Sequence, residues 1–524
     1  MFRFFILLTV ILLGFSVSYS KKCALRKYPS GFVCVCNETY CDTLEFNLPE
    51  FEDDVVVVTS NAAGLRHEVT YSKVLPNNDG VFSLNDVEDY VEIVIDPQVT
   101  YQKVLGFGNA LTGSVSYLLE QLSPGMRNHV YESIFSRSKG SGISFLRIPI
   151  GGCDFDLEPW SYNEFPENDP SLSNFTNLDA RDMQKIRQIN EIRSNIDAYD
   201  LKFFGSAWSS PKWMKTNNEW TGRSKLKPEY YQTWADFHLR YLELMKKNGI
   251  EFWGISTGNE PLNGELFWLF IRFMSLGWNA ARQGIFVGDN LGPTIKNSVN
   301  TKDVKIFAND DQRYTVAWWF EDMLTSHNTS LDFVDGLAVH WYWDEFIPAG
   351  LLDDHHEKYP DKLIFNTEAS VGDKPWESST PLLGSWNRAE SYISAVMEDL
   401  HHWVNGWIDW NLILNEEGGP NYVNNFVDAP IIVNSTDYKE FYKQAFYYAF
   451  GHFSRFITPD SIRLQTSTSD KDLWVVAFKR NDGFMTSVFY NNKKTPIQVV
   501  INIKNRGKIT LNLSAKSIHS ILHR

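Results

Sequence analysis

The sequence predicts an α/β protein built on a closed (β/α)8 TIM barrel. An accessory antiparallel β-sandwich formed from both chain ends and a small disulfide-stapled N-terminal sheet complete it. Three observations carry this. Between Tyr101 and about Leu414, eight short apolar runs alternate with amphipathic helical stretches. Each run carries its unusual polar or aromatic residues at its C-terminal end. The two flanks instead show short alternating strand patterns separated by turn residues.

From the N-terminus, Arg3 followed by the apolar run Phe4–Val17 and the small residues around Ser18–Ser20 read as a signal peptide over 1–20, with Lys21 opening the mature chain. That run is short for a membrane span, and no later stretch reaches eighteen uninterrupted apolar residues, so a soluble mature protein is expected. Four of the five cysteines, Cys23, Cys34, Cys36 and Cys41, crowd together just after it, the pattern of disulfides in an oxidising compartment. Three pairings are open, and the spacing lacks the repeated C-x2-C of a zinc knuckle. Cys153 is left over as a buried thiol. Sequons at Asn37, Asn174, Asn328, Asn434 and Asn512 are candidate glycan sites.

The eight runs lie at 104–110, 143–155, 201–210, 250–260, 304–310, 334–343, 362–370 and 406–415. Between them stand helix candidates such as 229–247, with apolar residues at three- and four-residue steps. The count of eight, and the lack of a G-x-G-x-x-G turn, favour a barrel over an open doubly wound sheet. The runs end on Asn109, Asp154, Trp208, Glu260, Asp310, Tyr342, Glu368 and Asn415, and the C-terminal face of a barrel is where active sites are built. Near 50–97 and 460–524 the strand patterns take over, with Asn481-Asp482-Gly483 as a tight turn.

A net charge of −15 and a pI near 5.3, with no basic stripe, argue against nucleic acid as a partner. The 18 tryptophans exceed what packing alone requires and suit sugar rings. Two glutamates stand out. Glu260 in STGNEP and Glu368 in FNTEAS lie 108 residues apart, about three βα units, which places them on strands four and seven, facing one another across the mouth. Glycoside hydrolysis requires such a pair, one carboxyl as proton donor and the other as nucleophile. Asn259 beside Glu260 is placed to bond a sugar 2-hydroxyl.

The segments VCVCNETYCD, GFGNALT, LRIPIGGCDF, SSPKWMKTN, STGNEP, NDDQR, TEASVG, DWNLILNEEGGPN and GHFSRFI, in this order over nearly the whole mature chain, resemble the glucosylceramide-cleaving branch of glycoside hydrolase family 30. The resemblance implies Glu260 as acid/base and Glu368 as nucleophile. It implies a glucose subsite from Asp154, Trp208, Asn259, Trp410 and Asn425, with Phe155 and Tyr342 at the rim and Arg147 and His340 supporting the glutamates. It further implies disulfides Cys23–Cys34 and Cys36–Cys41, no metal or organic cofactor, and lysosomal residence by the secretory route, with secretion as the alternative. Glucosylceramide at a membrane surface becomes the expected substrate, with a saposin-type activator and anionic lipid as partners. The corresponding division is 21–48 packed with about 412–443, a sandwich from 49–97 and 456–524, and a barrel over 98–455. Asn109, Gly113 and the segment 265–278 depart from the family pattern, and Phe267, Trp268, Phe270 and Phe273 are candidates for an apolar entrance. A sister xylosidase, glucanase or galactosidase activity, or a non-catalytic glycolipid-binding barrel, are the rival readings. The absence of a G-x-S-x-G elbow argues against an esterase.

Overall fold

The computed structural model describes residues 20–76, 90–265, 272–374, 376–377 and 381–524. The signal peptide expected at 1–20 falls, apart from Ser20, outside them, as do Phe267, Trp268 and Phe270.

Eight parallel strands close into a barrel: β1 (Gly106–Ala110), β2 (Phe145–Pro149), β3 (Lys202–Ser206), β4 (Phe252–Ser256), β5 (Lys305–Gln312), β6 (Gly336–His340), β7 (Leu363–Glu368) and β8 (Gly406–Asn411). The ring shuts where Gly406 pairs with Gly106 and Trp407 with Phe107. One layer of its interior is filled by Phe145, Phe204, Phe307 and Phe365, with Ala338 and Ile408. Gly406 is fixed by that layer, because a Cβ there would stand 2.0 Å from the Phe365 ring. The expected helix at 229–247 forms over Tyr231–Lys247 and buries Trp234, Phe237, His238, Tyr241, Leu242 and Met245, the three- and four-residue spacing of a single face.

The eighth run divides. Gly406–Asn411 belongs to the barrel, whereas Ile413–Asn415 joins a five-stranded sheet with Leu25–Tyr28, Gly31–Asn37, Glu440–Lys443 and Ile431–Val433. Asn415 therefore ends a strand of that sheet, accepting from the backbone N–H of Gly419 at 2.8 Å, and does not stand at the barrel mouth where its run had placed it. Disulfides Cys23–Cys34 and Cys36–Cys41 staple this sheet, and Cys153 is free and buried.

Both chain ends build the accessory domain. Its nine-stranded sheet runs in the order Gly507–Leu513, Ile497–Ile503, Tyr90–Val104, Ser461–Thr468, Leu473–Lys479, Met485–Asn491, Ser517–His523, Asp54–Asn61 and Glu68–Lys73. The sheet folds over one core, in which Val55, Val57 and Ile521 from one half meet Ile93, Ile501 and Ile503 from the other. Its free edges meet through paired backbone bonds of 2.8 Å between Leu75 and Lys508, which protects them from further strand pairing. Tyr90–Val104 is continuous, so the division expected at 97 falls inside a strand that runs to the threshold of β1. Of the sequons, Asn174, Asn328 and Asn512 are exposed and Asn37 and Asn434 half-buried. Asn512 lies in a strand, not in a loop.

Candidate active site

At the C-terminal mouth the backbone departs from regular strand geometry. β5 bulges between Asn309 and Asp311, and Asn309 and Asp310 take positive φ angles of 77° and 58°. Four residues beyond β4, Glu260 is itself left-handed at φ 41°, just before the short turn Pro261–Gly264. Such conformations cost on the order of 1–3 kcal/mol each for non-glycine residues, and they cluster where side chains must be re-aimed. Here they turn Asp310 and Glu260 into the mouth.

The two glutamates do meet. A carboxylate oxygen of Glu260, one of Glu368 and a ring nitrogen of His340 all lie within 4.8 Å of one another. Glu368 closes β7 and is buried. Arg147 and the Tyr342 hydroxyl donate to its two oxygens, the latter at 2.6 Å. Glu260 is partly open, with Oε1 accepting from Gln312 Nε2 at 2.8 Å and His340 Nδ1 at 3.1 Å, and Oε2 from Asn263 Nδ2 at 2.5 Å.

Beneath the pair runs a buried polar layer. Arg147 Nη2 donates to Asn259 Oδ1 at 2.7 Å and to Asp310 Oδ2 at 3.0 Å. Asp310 also accepts from Ser206 at 2.6 Å and Thr367 at 2.5 Å, and its Oδ1 meets His340 Nε2 at 3.2 Å. Burial opposes a charged His340, but the carboxylates of Glu368, Asp310 and Glu260 outweigh it and raise it to about 10. Burial likewise opposes ionisation of Asp310, and Arg147 and His340 overcome it, holding Asp310 well below the usual carboxylate range. Arg147 and His340 thus stand as two cations among the three carboxyls Glu260, Glu368 and Asp310. With both His340 nitrogens committed to carboxylates, the Glu260–His340–Glu368 trio lacks the free imidazole lone pair a metal would need.

Beside the pair stand Trp208 and Trp410, buried and stacked with ring centroids 5.2 Å apart. The Arg147 guanidinium lies 5.0 and 5.3 Å from their ring centres. Asp154 accepts from Asn425 Nδ2 at 3.2 Å, and its Oδ1 is buried with no partner among the described residues. Burial, then the charge of Glu368, pushes Asp154 up to about 8. A carboxyl in that state can both give and take a hydrogen bond with a sugar hydroxyl. The Asn259 oxygen is taken by Arg147, which leaves its NH2 as the group for a ligand.

Phe155 does not sit at the rim. It has no exposed surface and meets Trp410 edge-on at 6.2 Å, so it props the wall from behind. The sequence singles out Asp310 as a run end but not the two residues after it, Gln312, which donates to Glu260, and the buried Asp311, which burial and the charge of Glu260 push up to about 7. Four consecutive acid and amide residues, Asn309–Gln312, ending a barrel strand were the available signal.

A carboxyl pair beside stacked tryptophans, at the C-terminal mouth of an eightfold barrel, defines the class as a barrel glycoside hydrolase. The chain belongs to glycoside hydrolase family 30: the family's TIM-barrel domain matches residues 104–457 and its beta sandwich domain residues 460–521. It is 36% identical over 502 residues to the lysosomal acid glucosylceramidase of Mus musculus, an alignment covering 94% of each chain. Among solved structures, SrfJ from Salmonella typhimurium shares the fold at 23% identity and a TM-score of 0.78, with 90% of this chain and 99% of that one covered. The endo-beta1,6-glucanase BT3312 is 25% identical, with a TM-score of 0.76 over the same shares.

Proposed function

We propose that this glycoside hydrolase cleaves glucosylceramide to glucose and ceramide with retention at the anomeric carbon. The observation that carries the reading is the approach of the two carboxyls to within 4.8 Å at their nearest oxygens. Retaining enzymes hold theirs about 5–5.5 Å apart, whereas inverting ones leave about 6.5–9.5 Å for a water. Glu260 delivers its proton to the glycosidic oxygen as a Glu368 oxygen bonds to the anomeric carbon and ceramide leaves. Glu260 then removes a proton from water, whose oxygen displaces Glu368 and releases glucose. Arg147 and Tyr342 aim the nucleophile, and Asn259, held by Arg147, offers its NH2 to the 2-hydroxyl. Asp154, Asn425, Trp208 and Trp410 enclose the glucose, with Tyr342 at the entrance.

The mouse relative's name supports this glycone and aglycone, and supports a lysosomal site of action. Work at a membrane surface, with a saposin-type activator and anionic lipid, belongs to the same proposal. Among the described residues no helix is long and apolar enough to cross a membrane.

A cyclitol epoxide followed by peptide mapping tests the assignment. Label is expected on Glu368 and lost in Glu368→Gln; label on another carboxylate overturns it. Fluorescent glucosylceramide in vesicles with and without anionic lipid tests the substrate, and cleavage of aryl glucosides or gentio-oligosaccharides without lipid turnover refutes that part.

A further inference from the structure

A second recess of about 550 Å³ lies beyond Tyr342, between the loops after β6 and β7, the helix Trp386–His401 and the accessory sheet. Its volume falls within the roughly 300–1,000 Å³ of small-molecule sites. We propose that this recess, which borders the candidate catalytic centre at Tyr342, is a binding site for a short neutral oligosaccharide.

The walls divide into ring faces and hydrogen-bonding edges. Trp341 and Trp376 contribute from the barrel loops and Trp474 from the strand Leu473–Lys479, and Trp376 is 65% exposed. Sugar rings present C–H faces to such indoles and hydroxyls around their edges. Facing those hydroxyls are Asn387, Asn492 and Asp344. The Asn492 oxygen is occupied by Lys516 at 2.6 Å and the Tyr490 hydroxyl at 2.9 Å, so its NH2 is the group left to donate. The Asp344 side chain is only 10% exposed. Its Oδ2 accepts from Arg313 at 2.6 Å, while Oδ1 is buried with no partner among the described residues. A buried acceptor left open on a cavity wall calls for a ligand group.

Charge separates this reading from a cation site. Four of the six carboxylates lining the recess meet a cation of the protein: Asp344 and Glu398 share Arg313 with Asp399, Asp373 pairs with Lys374, and Glu390 with Lys516, while Glu377 accepts from the backbone N–H of Gly372 at 3.0 Å. Burial also raises Asp344 well above the ordinary carboxyl range, with Asp399 and Glu398 adding to it against the pull of Arg313. What faces the cavity is therefore an alternation of donors and acceptors, with Glu345 and Glu377 the lining carboxylates that have no ion pair among the described residues. A lipid tail would leave that polar edge unsatisfied.

The test is calorimetric titration with cellotriose, gentiotriose, chitotriose and maltotriose. Enzyme covalently blocked with the cyclitol epoxide is compared with unblocked enzyme. Saturable binding of at least one trisaccharide to the blocked enzyme is expected, weakened tenfold or more by Trp474→Ala. Ser391→Trp, on the exposed face of the helix, fills the recess without removing a core contact and is expected to do the same while the melting temperature stays at its wild-type value. The recess reading is overturned if no trisaccharide binds the blocked enzyme, if binding is indifferent to both substitutions, or if tetramethylammonium binds there in their place. Should the epoxide fail to label, the catalytic assignment is at fault; sensitivity of trisaccharide binding to Trp474→Ala and Ser391→Trp then still decides the recess.

Discussion

Asp409 offers a direct measure of how the barrel wall handles charge. It lies on β8, fully buried, with the Tyr392 hydroxyl donating at 2.7 Å and Asn109 Nδ2 at 3.0 Å, and no ion-pair partner is recorded for it among the described residues. Burial is the largest influence and raises it from 3.8 to about 8. A carboxyl whose folded value lies above its unfolded one favours folding fully below the unfolded value, and that contribution is lost as pH rises toward the folded value. Asparagine has nearly the same shape, can accept from Asn109 and donate to Tyr392, and does not titrate. Each pH unit between 3.8 and 8 is worth up to about 1.4 kcal/mol, so Asp409→Asn should gain up to about 2.7 kcal/mol on wild type between pH 5 and pH 7. For a cooperative unit of roughly 350 residues the unfolding entropy is about 0.7 kcal/mol per kelvin, which makes this a relative shift of up to about 4 °C. Melting temperatures of both proteins every half pH unit would show it. Parallel curves across pH 5–7 would mean that Asp409 is ionised in the folded protein and would refute the reasoning.

The polar layer yields further outcomes. Arg147→Met should cost about 3–5 kcal/mol, because it strands Asp310 and Glu368 as buried charges, and Arg147→Lys should not restore turnover, since one ammonium cannot span Glu368, Asn259 and Asp310; melting and kcat on an aryl glucoside check both. His340, raised from 6.5 to about 10, contributes stability fully present below pH 6.5 and lost toward pH 10, so wild type should lose more of its melting temperature than His340→Gln between pH 7 and pH 9.5. Replacing Cys23 and Cys34 together by serine should cost about 2–4 kcal/mol and reduce kcat/KM, measured with calorimetry and an aryl glucoside.

What the sequence showed and withheld follows from the range over which each signal acts. The eight apolar runs were readable because a strand buried on both faces needs apolar residues continuously, and that need is local. Glu260 and Glu368 were readable because each stands at the C-terminal end of such a run. The support beneath them was not, since Asp310 reaches Arg147, Ser206, Thr367 and His340 on four other strands, through a bulge that strand patterning does not register. Phe155 misled for a related reason. Its neighbour Asp154 faces the recess, and only the path of the loop after β2 turns the ring behind Trp410. The eighth run failed as a single strand because an apolar stretch is equally suited to two sheets. Leu412 marks the change, after which Ile413–Asn415 pairs with Ile431–Val433.

That change of sheet connects the disulfides to the chemistry. Trp208, Trp410 and Phe155 belong to the same packed cluster as Val33, Val35, Leu414, Ile432 and Tyr442 of the stapled sheet. The wall of the proposed glucose recess therefore rests on residues about 400 positions apart, Val33 and Val35 near the N-terminus and Leu414, Ile432 and Tyr442 after the last barrel strand. A glycone pocket must hold its aromatic planes to a fraction of an ångström, because misplacement of the reacting carbon by about 1 Å can cost a hundredfold in rate. Two short strands carrying Val33 and Val35 could not supply that rigidity alone, as an isolated hairpin is marginal in water. Cys34 and Cys36 alternate with those valines and fasten the hairpin on its other face, so the staples fix the surface against which Trp410 is seated. On this account, opening Cys23–Cys34 should raise KM and lower kcat through the tryptophan wall, while labelling at Glu368 at saturating epoxide stays complete. A variant that lost stability with kcat and KM intact at low temperature would show the sheet to be a fastening for the chain end alone.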